Sequence, residues 1–216
     1  MQIFNSLLLG EIPEAWRALS YPSLKPVSSY INDLRIRIAF LIDWLDNDAP
    51  PIFWISGFFF TQSFLTGTLQ NYARKNTIEI NTLTFEFEFF DKDHTNYGRG
   101  ILDRANCDIQ KPKDGVLITG LFLEGCRWDY ERAILAESYP KVLYSKVPIC
   151  LLKPVVMGKE NKNGYECPMY KTTERRGQLS TTGHSTNFIM MIRMPSDKPT
   201  DHWVKRGVAM LCQLSD

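Results

Sequence analysis

The spacing of apolar residues changes near residue 80, and this change constrains the fold more than any other feature of the sequence. Before that point apolar side chains recur at helical intervals, and after residue 77 they alternate with polar ones. Strict alternation is typical of a half-buried strand. The clearest example is residues 83–89, LTFEFEF, which place leucine and phenylalanine on one face and threonine and glutamate on the other.

The sequence therefore predicts an α+β fold, in which N-terminal helices pack against a C-terminal antiparallel β-barrel-like sheet. We place a helical subdomain at residues 1–78 and a β-barrel-like subdomain at residues 79–216. Turn signals separate the later strand candidates, as in sheets and small barrels that are built from short strands. These candidates are residues 116–123, 147–152, 165–171, 188–194 and 207–213.

The strongest helix signal lies in residues 27–45. Six apolar residues have spacings of 4, 3, 4, 3 and 4, which draws one stripe along a helix. They are Val27, Ile31, Leu34, Ile38, Leu41 and Leu45. Asp33 and Arg37 fall away from that stripe. A second helix is predicted from Thr61, and Arg74 lies near its end, where a cation suits the negative end of the helix dipole.

Residues 52–60, IFWISGFFF, form an apolar run whose period does not distinguish a strand from a buried loop. These rings either fill the seam between helices and sheet or contact another domain, because large apolar patches on soluble proteins often mark interfaces. We name five residues of this run and of the following helix as candidate interdomain contacts: Trp54, Phe58, Phe59, Phe60 and Arg74.

Composition and charge exclude several kinds of partner. Lys and Arg number 25 and Asp and Glu number 24, so the protein lacks the bulk positive field of many nucleic-acid binders. No P-loop is present, and the uncharged residues 49–73 are too polar and too broken to span a bilayer. The five cysteines form no CxxC pair, which favours free thiols in a reducing compartment. We predict no nucleic-acid partner, no membrane segment, no metal and no cofactor in this chain.

Residues 180–187, STTGHSTN, surround an imidazole with hydroxyl groups. A hydrolase would use His184 with Ser180, Ser185 or Cys167, which requires these side chains to lie within hydrogen-bond reach of one another. The same residue types form ordinary hairpins, because they bond their own backbone and tolerate positive φ. A hydrolase therefore stands as one hypothesis beside that of a structural turn. Residues 91–112 are polar and rich in turn residues, and we expect them to be the most mobile loop.

Seven strings of the sequence resemble, in order along the chain, the C-terminal domain of dynein heavy chains. They are SYPSLKP at 20–26, WISGFFFTQSFLTG at 54–67, LQNYARK at 69–75, GVLITGLFLEG at 115–125, CPMYKT at 167–172, LSTTGHSTN at 179–187 and HWVKRGVA at 202–209. The block at residues 55–60 is more similar to axonemal than to cytoplasmic dyneins. The insert at residues 91–112 matches no pattern of this family that we can place.

The resemblance implies a helical part followed by a β-barrel-like part, at the C-terminal end of a very large motor. It implies a non-catalytic domain that lies across the ring of AAA+ ATPase modules and modulates ATP-driven movement on microtubules. The P-loops then belong to upstream modules, and no catalytic residue carries over to this chain. The implied partners are the ring modules of the same heavy chain and other dynein subunits, in the axoneme of a cilium or flagellum. A stand-alone β-barrel module that binds a separate protein is the alternative.

Overall fold

The computed structural model describes residues 2–90, 109–177 and 187–215. In this part of the chain the helices are α1 Gln2–Leu8, α2 Glu14–Arg17, α3 Val27–Asn47, α4 Thr61–Asn76 and α5 Thr200–Lys205, with short 3-10 turns at Ile55–Gly57 and Ile80–Thr82. The strands are β1 Ile52–Trp54, β2 Leu83–Phe89, β3 Val116–Thr119, β4 Phe122–Glu124, β5 Arg127–Asp129, β6 Ile134–Ala136, β7 Tyr144–Lys146, β8 Cys150–Val156, β9 Tyr165–Tyr170, β10 Phe188–Met194 and β11 Ala209–Leu211.

The strands form three sheets, and the α+β class is confirmed. One sheet has the order β1-β3-β8-β2, a second has the order β10-β9-β11-β4-β7, and β5 and β6 form a hairpin of their own. Most strand pairs are antiparallel, as predicted, but β1 pairs parallel with β3 and β11 pairs parallel with β9, so the prediction of an antiparallel sheet holds only in part. Among the described residues the strands do not close into a barrel, so the barrel-like description is not confirmed.

The apolar run at residues 52–60 begins as a strand. Ile52, Phe53 and Trp54 pair with residues 117–119 of β3, and the backbone then enters the 3-10 turn Ile55–Gly57. A segment from the first third of the sequence therefore completes a sheet whose other strands come later. The division at residue 78 stays a prediction, and this strand pairs across it.

Residues 116–123 are predicted as one strand, and the structure divides them into β3 and β4, which belong to different sheets. The division falls at Gly120, whose φ of +89° lies in the region that favours glycine. A positive φ turns the backbone out of the first ladder, so the next residues pair with a new partner. The strand predicted at residues 188–194 is confirmed as β10, and residues 165–171 contain β9.

One hydrophobic core joins the helices to the sheets. It extends from Phe40 on α3 and Leu65 on α4, through Leu123 and Met169 in the five-stranded sheet, to Trp203 on α5. The Trp203 side chain is fully buried, and its indole N–H donates a hydrogen bond to Ser196 Oγ at 2.7 Å. The buried indole N–H therefore has the hydrogen-bond partner that it needs.

Two sequence predictions fall partly outside the described residues. The loop expected at residues 91–112 lies outside them except for its last residues, and so does His184 with its neighbouring hydroxyl residues. Within the described ranges no helix has both the length and the apolar character needed to cross a membrane. The same residues contain no group of three or more His, Cys, Asp or Glu side chains suited to hold a metal ion.

Candidate docking surface

Six rings from α3, β1, the 55–60 turn and α4 pack together between the helices and the sheet. We call this group the aromatic seam: Phe40, Trp44, Phe53, Trp54, Phe58 and Phe64. Phe58 and Phe64 stack with ring centroids 4.3 Å apart, and Phe40 meets Trp54 edge-on at 6.0 Å. Edge-on and offset contacts at such distances contribute beyond the burial of area alone. The seam fixes α3 against the four-stranded sheet.

Trp54 lies between two glycines. A Cβ on Gly120 would lie 2.6 Å from Trp54 Nε1 and closer still to Cδ1, and a Cβ on Gly57 would lie 2.9 Å from Cζ3. Ser56 Oγ donates a hydrogen bond to the Gly120 carbonyl at 2.6 Å, which ties the turn to the break between β3 and β4. The absence of side chains at both glycines is therefore what makes room for the indole.

A buried ion pair anchors α3 from its inner side. Arg37 is only 2% exposed, and its Nε donates a hydrogen bond to Asp33 Oδ2 at 2.6 Å. Tyr21 Oη donates to the same carboxylate oxygen at 2.7 Å, and the Arg37 guanidinium lies 4.2 Å from the centre of the Tyr21 ring. Burial and the hydrogen bond to Asp33 raise the pKa of the Tyr21 phenol, so it stays protonated. The cluster joins the proline-rich connector to α3.

The five predicted contact residues divide between the seam and the surface. Trp54 and Phe58 are half-buried members of the seam, and Phe59 is half-buried against Tyr21 at 5.5 Å. Phe60 is 78% exposed, and Arg74 is exposed in the last turn of α4. Their role as interdomain contacts stays a prediction, and Phe60 and Arg74 are the two that solvent reaches freely.

The largest unpredicted feature is the orientation of α3. An amphipathic helix usually turns its apolar stripe to the core. In α3 the buried residues are Tyr30, Arg37 and Phe40, on a different side. Four aliphatic side chains face solvent instead, and we call them the outer stripe: Ile31, Ile38, Ile42 and Leu45. Leu45 alone is 85% exposed.

Other helical segments before residue 27 are exposed in the same way. Helix α1 has no buried residue, although it carries Phe4, Leu7 and Leu8. Leu19, in the connector after α2, is 92% exposed. The Val27 N–H donates a hydrogen bond to the Gly10 carbonyl at 2.9 Å, so the segment after α1 is attached to the start of α3. The helical part therefore presents several large apolar side chains without a cover among the described residues.

The described residues offer little support for nucleophilic chemistry. Cys167 is fully buried in β9, and burial raises the pKa of its thiol well above the ordinary value. A buried, protonated thiol is a poor nucleophile. The rest of the hydrolase hypothesis, which uses His184 with Ser180 or Ser185, lies outside the described residues and stays a hypothesis.

Comparison with known proteins identifies the family. The sequence matches the family described as the C-terminal domain of the dynein heavy chain, over residues 1–212. It is 51% identical to human dynein axonemal heavy chain 12 over 213 residues, which is 98% of this chain and 6% of that protein. Mouse dynein axonemal heavy chain 3 is 50% identical over 216 residues, which is 100% of this chain and 5% of that protein.

A third relative is mouse dynein axonemal heavy chain 1, with 48% identity over 97% of this chain and 5% of that protein. The present sequence thus spans about one twentieth of the length of these curated relatives. The match over nearly all of its residues confirms the resemblance found in the sequence strings. The chain belongs to the family of C-terminal domains of dynein heavy chains, and the three relatives compared above are axonemal heavy chains.

Proposed function

We propose that this chain is a non-catalytic regulatory and structural domain of an axonemal dynein heavy chain. It rests on the AAA+ ring of that heavy chain and modulates ATP-driven movement on microtubules. The observation that carries this proposal is the outer stripe, an apolar surface on a helix whose inner side already packs on the core. Burying one such side chain contributes about 1.5–3 kcal/mol, so a surface of this kind favours a permanent neighbour.

The electrostatics agree with a partner that is already close. With a net charge of +1, the domain has little long-range attraction for the acidic surface of a filament. A domain attached to its partner by the polypeptide needs no such steering, because the linkage itself supplies a high local concentration. We infer that the domain reaches microtubules only through the complete motor, and that its direct partners are ring modules and other dynein subunits.

The chemistry of the motor belongs upstream in this proposal. ATP hydrolysis takes place in the ring modules, and the domain has neither a cofactor nor a catalytic residue of its own. The axonemal relatives support a site of action in the cytoskeleton of a cilium or flagellum.

The decisive experiment compares microtubule gliding by the whole heavy chain with gliding by a heavy chain that lacks these residues. We expect gliding velocity or its dependence on ATP to change. Unaltered velocity and ATPase rate would contradict a regulatory role. ATP hydrolysis by the isolated domain would contradict a non-catalytic one. If the isolated domain copurifies with a separate protein and does not bind the ring modules, the alternative of a stand-alone interaction module replaces the proposal.

A further inference from the structure

We propose that the outer stripe of α3 binds one amphipathic α-helix that lies upstream in the same heavy chain. This inference rests on the proposed function and names the structure that the docking surface receives. The stripe runs from Ile31 to Leu45, fourteen residues along α3. At 1.5 Å per residue this is roughly 21 Å, so the partner helix has at least about two heptads in contact.

The spacing of the apolar residues along α3, three of which belong to the outer stripe, points to a helix as the partner. Residues 31, 34, 38, 41 and 45 follow the 3-4 spacing of a heptad seam, in which each side chain enters a hole between four residues of a facing helix. Ile31, Ile38 and Leu45 are the exposed members, while Leu34 and Leu41 are half-buried and Leu41 packs against the core. An irregular protein surface does not require such a repeat. The repeat is a signature of packing at a shallow helix crossing angle.

The two sides of α3 also differ from those of an ordinary surface helix. Its inner side packs in the aromatic seam through Phe40 and Trp44, and its outer side is aliphatic as well. The exposed stripe lies beside the buried side of α3, so the apolar surface of the helix extends beyond the part that meets the core, and such a surface is normally covered as well. The remaining polar strip, which includes Asn32, Arg35 and Asp46, is the part of α3 that we expect to stay in water.

The residue types in α3 favour a single partner helix and an acidic side chain on that helix opposite Arg35. Isoleucine at the first heptad position, as at residues 31 and 38, with leucine at the fourth, as at residues 34 and 41, favours two helices over larger bundles. Arg35 is exposed beside the stripe and forms no ion pair with any residue in the described ranges. It lies one turn from both Ile31 and Ile38, where it is available to a carboxylate of the incoming helix.

The test uses thiol alkylation in the intact heavy chain. Ile38→Cys places a thiol in the stripe, and Asn32→Cys, as the matched control, places one on the exposed polar strip of the same helix. We expect the thiol at position 38 to react at least about tenfold more slowly, because reaction needs local opening of the contact. Peptide-resolved mass spectrometry separates these sites from the other cysteines. Equal rates at the two positions would overturn the proposal.

Cross-linking from the same thiol identifies the occupant. A photoactivated reagent attached to the thiol of Ile38→Cys should form cross-links to a peptide upstream in the same polypeptide. The cross-linked residues in that peptide should be three or four positions apart, because such residues share one face of a helix. A product of two heavy chains would show that a second copy covers the stripe and would overturn the proposal. If the thiols react equally while deletion of the domain still changes gliding, the helix partner is wrong and the proposed function stands. If deletion changes nothing, the proposed function itself is wrong.

Discussion

Replacing Gly120 by alanine should destabilise the fold through two separable effects, one in the backbone and one in packing. Gly120 has a φ of +89°, and the new Cβ would lie 2.6 Å from Trp54 Nε1. The left-handed backbone costs roughly 1–2 kcal/mol for a residue with a Cβ. Overpacking at a filled site adds roughly 1–3 kcal/mol. We therefore expect Gly120→Ala to lower the free energy of unfolding by about 2–5 kcal/mol.

Gly158 provides a matched control in the same protein. Its φ is +86°, and a Cβ placed on it meets no atom within 4 Å. Gly158→Ala should therefore show only the backbone cost of about 1–2 kcal/mol. The difference between the two variants isolates the contact with Trp54. Urea unfolding of the purified domain, followed by tryptophan fluorescence and circular dichroism, measures both free energies.

A third variant tests whether the packing cost comes from the indole. Trp54→Leu removes ring atoms beside Gly120, so it should cost less in the Gly120→Ala background than alone, with a coupling energy of roughly 0.5–3 kcal/mol. Equal losses in Gly120→Ala and Gly158→Ala would refute the reasoning. So would strictly additive effects at positions 54 and 120, because both results would mean that the indole does not depend on the glycine.

Three further predictions follow from buried or paired groups. Arg37→Met should lower the free energy of unfolding by roughly 3–5 kcal/mol, because it leaves the Asp33 carboxylate buried without its cation, and exposed Arg35→Met should have little effect in the same urea titration. Burial raises the thiol pKa of the four described cysteines, which are Cys126, Cys150, Cys167 and Cys212. We therefore expect these thiols to be alkylated only when the protein unfolds, and rapid labelling of the native protein would contradict this. Partial burial raises the pKa of Glu137, but hydrogen bonds from Arg206 and His202 outweigh it and hold this pKa below its ordinary value. The stabilising effect of the Glu137 carboxylate is therefore present above the unfolded pKa and is lost as pH falls through the folded pKa. Glu137→Gln should therefore destabilise the fold at neutral pH and not in acid, and a difference that persists in acid would contradict the pairing.

Periodicity predicted the long helix but not the side on which it packs. The 3-4 spacing in residues 27–45 lies within α3, Val27–Asn47. Spacing shows which residues share a face, and it carries no information about which face meets the core. The inner side was difficult to recognise because Arg37 is part of it, and a charged residue normally indicates solvent. The pairing of Asp33 with Arg37 at i and i+4 was the available signal.

Some strands were too short for any period to appear. β5, β6 and β7 have three residues each, so a single alternation is all that the sequence contains. The seven-residue strand β10 carries enough hydrophobic pattern to be predicted in full. The parallel pairing of β1 with β3 depends on tertiary contacts between distant segments, which local spacing does not encode. The sequence indicated Phe60 and Arg74 as contact residues and showed the apolar stripe of α3, but it did not indicate that this stripe faces solvent.

The order of strands in the five-stranded sheet has a consequence for synthesis of the protein. The central strand of β10-β9-β11-β4-β7 is β11, which is the last of these five strands to be translated. Domains generally fold as units during synthesis, so this domain cannot complete the sheet until its last strand has been made. Here β4 and β9 have no partner at the middle of the sheet until Ala209–Leu211 arrives. A premature stop codon shortly before residue 209 would therefore leave the sheet in two halves, each with an unpaired strand edge. We expect chaperones to bind and proteases to degrade such a truncated protein.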